Sequence, residues 1–208
     1  MSSSNPLGGV SRKLLLSVAA IGAAAAIAGL GTYATFTSST SASQAVASGT
    51  VTVALGATGA STNRLTVGAS NIAAGDTIQR SVDLINQGSL NLASVTLTTT
   101  ATTSSLLNTD TSNGLQMAID KCSAAWTEAG TAPAYTYTCS GTTTTVLASV
   151  PVIGANLALS NLSALTAGAT DHLRVTLTLP STAGNSLQNQ SSVIQYSLTG
   201  IQRAGTNQ

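Results

Sequence analysis

The sequence predicts an all-β protein: an antiparallel two-sheet sandwich of jelly-roll type, preceded by a helical signal peptide. Three observations carry that expectation. Apolar residues recur with a period of two almost everywhere after residue 50, the alternating runs are short, and glycine-containing turns separate them. No segment beyond the N-terminal one shows an apolar stripe at helical spacing, apart from a short turn around Ser104 to Leu107. Many short strands with this punctuation bury their apolar rows by packing as two sheets.

The elements follow in chain order. Arg12-Lys13 leads into an apolar run from Leu14 to Ala28 and then into Gly29-Leu30-Gly31-Thr32-Tyr33-Ala34-Thr35-Phe36. A basic start, a short apolar core and small residues at Thr32 and Ala34 form a cleavable export signal, cut between Ala34 and Thr35. A cut after Ser43 is the weaker alternative. An uncleaved anchor is the other reading, since Leu14 to Ala34 just reaches across a bilayer; against it, no stop-transfer charges follow. The expected organisation is a signal peptide over 1–34, an N-terminal arm over 35–47 and a β-sandwich domain over 48–208. The expected location is extracellular or at the cell surface, with the membrane touched only in transit.

Within the domain, Val51, Val53 and Leu55 form the first apolar row, Ile78, Val82 and Leu84 the second, and Val95 and Leu97 the third. Leu173, Val175, Leu177 and Leu179 alternate with His172, Arg174, Thr176 and Thr178, the pattern of a strand with one dry and one wet face. Ile194, Tyr196 and Leu198 form the last row. Turns are expected at Ala74-Gly75-Asp76, Asn86-Gln87-Gly88, Asn113-Gly114, Ser140-Gly141 and Ala167-Gly168. Asn71 to Thr77 and Leu165 to Asp171 echo one another, each placing a glycine turn before an alternating strand. They look like equivalent corners of two sheets, but the echo is too short to be a repeat, and similar turns at similar places suffice to explain it.

Charged residues are 6% of the chain and aromatics 3%, while Ser and Thr make up roughly three in ten residues. Without Arg12 and Lys13 the mature chain holds five basic and six acidic side chains. No basic stripe is available to neutralise a phosphate backbone, so nucleic acid is excluded as a partner. Near-zero charge also removes the self-repulsion that keeps soluble proteins apart, which suits self-assembly.

The two cysteines, Cys122 and Cys139, are expected to form a disulfide in an exported chain. A thiolate nucleophile or metal ligand is the alternative, against which stands the absence of Cys-x-x-Cys spacing. The bridge would pin a loop carrying Trp126, Tyr135 and Tyr137, three of the six aromatics. Those rings read as a small satellite core or as a contact surface.

Catalytic chemistry finds little to work with. His172 is the one histidine, and Asp76, Asp83, Asp110, Asp120, Glu128 and Asp171 are scattered. A catalytic zinc needs about three protein ligands and an open position, usually with two histidines on one helix. A Ser-His-Asp triad lacks the Gly-x-Ser-x-Gly elbow. The run Asn108 to Gly114 mimics the start of a calcium loop, but its glycine is one place late and Ile119 stands where a bidentate Glu belongs. A polar hairpin turn at Asn113-Gly114 explains it better. No catalytic residue, metal site or cofactor is expected.

Four landmarks then carry a family resemblance: Gly29 to Phe36, Ala47-Ser48-Gly49-Thr50-Val51, Ala74-Gly75-Asp76-Thr77 and Asn86-Gln87-Gly88-Ser89-Leu90. In this order and spacing they resemble the TasA/camelysin family. The later part, with the disulfide segment and the ending Val193 to Arg203, is similar to the shorter members and departs from the longer ones. The resemblance implies a secreted matrix protein, processed by a SipW-like signal peptidase, that folds as a jelly roll and polymerises head to tail with itself into biofilm fibres. In such fibres an N-terminal strand of one subunit completes the sheet of its neighbour. Here the candidate donor strand is the Ser/Thr-rich arm with Thr35, Phe36, Thr37, Ala42, Ala45 and Val46. A disordered tail is the alternative. The rival functions are a camelysin-like surface metallopeptidase and a monomeric adhesion or binding module.

Overall fold

The structure is a computed structural model and describes residues 48–66 and 68–205. The readings on the signal peptide, its cleavage site at Ala34 and Thr35, and the arm lie outside the described residues. Among the described residues there are ten strands, one short α-helix and a 3-10 helix at Asn185–Leu187: β1 (Val53–Leu55), β2 (Thr77–Asn86), β3 (Leu92–Thr103), α1 (Leu106–Thr109), β4 (Gln116–Cys122), β5 (Thr127–Thr131), β6 (Ala134–Thr138), β7 (Thr143–Pro151), β8 (Gly154–Leu159), β9 (Thr170–Thr178) and β10 (Val193–Gln202).

The pairing is nested. β5 pairs with β6, β4 with β7, β3 with β8 and β2 with β9, all antiparallel. The chain is thus one long hairpin with its tip at β5 and β6, rolled so that successive strand pairs alternate between two layers. This is the wrapping of a jelly roll. The five-stranded sheet has the order β1-β2-β9-β4-β7, the three-stranded sheet β10-β3-β8, and the hairpin tip forms a two-stranded sheet of its own.

Alternation explains which side chains meet between the layers. Val82 and Leu84 from β2, Leu173 and Val175 from β9, and Met117 and Ile119 from β4 face Val95 and Leu97 from β3, and all are buried. Each such aliphatic side chain contributes about 1.5–3 kcal/mol when fully withdrawn from water. Thr99, also buried, donates from Oγ1 to the Val152 carbonyl (2.6 Å) and accepts from the Gly154 amide (2.9 Å). A hydroxyl in the core is therefore satisfied.

The five expected apolar rows fall in or beside strands, with Val51 left outside β1. The helical turn is α1, whose N-cap Ser105 accepts from the Leu107 amide while Asn108 reaches back to the Ser105 amide. Two expectations change. Asn113-Gly114 is not the tip of a strand hairpin; it joins α1 to β4, because the Asp110 carboxylate gathers the Ser112 and Asn113 amides (3.0 and 2.9 Å) into a local turn. The echoing turns do not mark corners of two sheets. Gly75 and Gly168, both at positive φ, precede β2 and β9, which are antiparallel neighbours in one sheet.

Candidate functional site

The flank of the sandwich between β2 and β10 is closed at one end and open at the other. β1 is three residues long and covers only Leu84 to Asn86 of β2. Beyond it, the segment after β1 continues the cover through an Asn63–Val82 bridge and the Arg64 amide bonded to the Ser81 carbonyl (2.9 Å). At this end Val53 lies so close to Gly200 that a Cβ there would come within 2.5 Å of its methyl. Glycine at 200 is what lets β1 and β10 approach. Toward the start of both strands no contact this close joins the layers among the described residues, and a groove of about 1260 Å³ opens.

Its apolar lining comprises Leu55, Leu65, Ile78 and Leu177 on the five-stranded side, Ile194 and Tyr196 on β10, and Leu107, Leu115 and Leu187, while the stretches 66, 68–72 and 188–192 add mostly polar residues. β10 pairs with β3 along one edge, and no described strand pairs with the other. The strand is free of charge and proline, its pairing with β3 is irregular at both ends, and its first four residues, Val193 to Tyr196, line the groove. Edge strands of soluble proteins are normally blunted by Lys, Pro or a bulge.

One charged side chain lies among these aliphatics. Arg80 falls in the inward row between Ile78 and Val82, is 5% exposed, and donates to the carbonyls of Gln79 (2.6 Å) and Gly68 (2.9 Å). Burial pulls its pKa below the usual arginine value. Burial likewise pushes the Tyr196 phenol up to about 12. The sequence signal for this feature is a charged residue at an inward position of an alternating strand, and the row Ile78, Val82, Leu84 passed over it.

The two ends of the sandwich differ in what they carry. Residue 48, where the described domain begins, stands at the closed end, with the Thr50 carbonyl accepting from the Ser89 amide (3.0 Å) and the Thr52 carbonyl from the Gln87 amide (2.9 Å). The Arg203 amide reaches the Asn91 carbonyl there too. The groove mouth stands at the opposite end, beside α1 and the start of β10.

A second polar cluster lies on the outer face of the five-stranded sheet, against the hairpin β5–β6. Cys122 and Cys139 are joined in a disulfide at the hairpin's root. Arg64 grips Glu128 with two hydrogen bonds (2.9 and 2.6 Å), and Tyr137, buried, donates to the same carboxylate (2.9 Å). The Arg64 hydrogen bonds hold the Glu128 carboxyl below its ordinary range. Arg64 also stacks 4.8 Å from the centre of the Tyr135 ring, and Arg174 4.4 Å from that of Trp126. The indole N–H donates to the His172 carbonyl (2.9 Å). Trp126, Tyr135 and Tyr137 are therefore a satellite cluster that fastens the hairpin down.

These contacts decide whether the chain's metal-capable residues fit a zinc. His172 Nδ1 lies 2.7 Å from Asp83, Asp120 is bonded to Arg174 (3.1 Å), and buried Asp171 takes Lys121 (3.1 Å) and the Ala164 amide (2.7 Å). Asp76 and Asp110 accept backbone amides in their own turns, and both cysteines are oxidised. Among the described residues, which include every His, Cys, Asp and Glu of the chain, no three such groups converge. They do not fit a catalytic zinc centre. Of the expected site residues, the structure brings together Cys122 and Cys139; Thr35, Phe36, Thr37, Ala42, Ala45 and Val46 lie outside the described residues.

Comparison with known families adds one finding. The profile of the camelysin metallo-endopeptidases matches residues 9–207, and the chain belongs to that family. No curated protein matches it.

Proposed function

We propose that this member of the camelysin family is a secreted, non-enzymatic structural subunit of an extracellular fibre or biofilm matrix. Residues 35–47 of one copy enter the groove of the next and add a strand to β10. The observation that carries the reading is the opposition of the two ends: the arm joins the domain at the closed end, and the groove opens at the other. A segment from one end and a slot at the far end make a head-to-tail contact, which builds an open filament when the rotation between copies does not close a ring.

The donor-strand reading also implies a direction. An arm entering at the mouth has residue 47 outermost and residue 35 deepest. β10 runs from the mouth inward, from Val193 to Gln202. The added strand is therefore antiparallel to β10, which allows closely paired ladder hydrogen bonds. Thirteen extended residues span about 43 Å, enough to cover the roughly 33 Å of β10. The main chain supplies affinity, and alternate side chains such as Phe36, Ala42 and Val46 take the apolar lining.

The family's description as metallo-endopeptidases names a different activity. The poor fit of His172 and the six carboxylates to a zinc centre favours the structural reading.

Deletion of residues 35–43 tests the proposal. The shortened protein is expected to keep its fold by circular dichroism and its disulfide by mass spectrometry, yet to form no fibres in electron micrographs. Long polymers from the folded deletion protein would refute the donor-strand reading.

A further inference from the structure

Among the described residues four large hydrophobic side chains are exposed: Val51, Leu106, Val193 and Ile201. None lies on the middle of a sheet face. The broad outer surface of β3 and β10 carries hydroxyls instead, with Thr96 opposite Thr199 and Thr98 opposite Ser197. The four divide two and two between the ends of the sandwich.

At the mouth, Leu106 opens α1 and Val193 opens β10. The preceding residues are tied together, Ser105 Oγ lying 2.7 Å from Ser192 Oγ, so the two apolar side chains share one rim. At the closed end, Val51 and Ile201 flank the contact between Val53 and Gly200, beside residue 48. Single exposed aliphatics need no explanation, but a pair at each end of a head-to-tail subunit does.

We infer that the ends are a second interface between copies of this chain, in which Val51 and Ile201 of one subunit seat against Leu106 and Val193 of the next. This rests on the head-to-tail reading, because a strand inserted to its root brings residue 48 of the donor to the acceptor's mouth. The residues around the root then meet the residues around the rim. The contact is apolar on both sides, so its strength falls little with added salt, unlike that of a charged interface. It also gives the fibre a defined stacking that an arm alone, acting as a tether, does not.

Paired cysteines test the contact in assembled polymer. Val51→Cys is combined in turn with Leu106→Cys and with Val193→Cys, in the full chain with its native disulfide intact. Mild oxidation of fibres is expected to give a ladder of covalent oligomers on denaturing gels for at least one pair, and none for the single variants. Fibres visible in micrographs without a ladder from either pair would overturn the end contact while leaving the donor strand standing. An unsubstituted chain that forms no fibres would overturn the head-to-tail reading itself, and the end contact with it. As a second readout, Leu106→Ser is expected to raise the concentration needed for polymerisation by about tenfold through lost apolar burial. An unchanged threshold counts against the contact.

Discussion

The outer face of the five-stranded sheet and the flank along β10 are managed in opposite ways. Over the face, a hairpin of little apolar content is held by a disulfide, two stacked guanidiniums, a bidentate ion pair and an indole hydrogen bond. Along the flank, an uncharged edge strand and a groove with an apolar lining are left with no described strand over them. A chain that spends a disulfide on covering one polar face has not run out of means to cover an apolar one. The proposed donor strand would account for this difference.

The largest effect belongs to the covered face. Replacing Cys122 and Cys139 together by Ser is expected to cost about 3 kcal/mol, the chain-entropy value for a loop of this size, read from the denaturant midpoint. The hairpin approaches the groove through Tyr135, whose ring centre lies 5.7 Å from the guanidinium of the groove-lining Arg80, and neither cysteine lines the groove, so fibres should still form from whatever fraction is folded. Loss of assembly by fully folded double variant would show that the two regions are coupled and break the contrast.

A smaller effect belongs to the open flank. Tyr196 in the folded chain holds its proton more tightly than an unfolded tyrosine, its pKa raised from 10.0 to about 12 by burial. Its contribution is fully present below pH 10 and is lost as the pH rises toward 12, on the order of 2 kcal/mol in all. Tyr196→Phe should remove that alkaline slope. An incoming strand would bury the phenol further, so its titration by ultraviolet absorbance should move higher in fibres than in arm-deleted protein. An identical titration in the two would place Tyr196 outside the occupied groove.

Legibility in the sequence follows the same divide. β9 is readable because aliphatics alternate strictly with polar residues, and β2 and β10 because they do so with few exceptions. The hairpin is not. Thr127 to Thr131 and Ala134 to Thr138 carry no aliphatic larger than alanine, and what holds them comes from Arg64, Arg174 and the disulfide, far away in sequence. Arg80 escapes notice because an alternation count records the hydrophobic members of a row and skips the charged one. The groove is invisible for a deeper reason: it is made by the shortness of β1 and the register of β10, and both depend on pairings between distant segments. Asn113-Gly114 misleads because that dipeptide marks a turn without saying what the turn joins.

The central claim is that the groove is a strand acceptor. The most direct measurement is titration of arm-deleted protein with a synthetic peptide of residues 35–47, followed by isothermal calorimetry and by protection of the β10 amides from hydrogen exchange. Saturable binding at one peptide per subunit is expected, with new protection confined to the edge from Val193 to Gln202, and weakened binding when Phe36 is replaced by Asp. No binding, or binding that leaves the β10 amides exchanging as before, would contradict the claim.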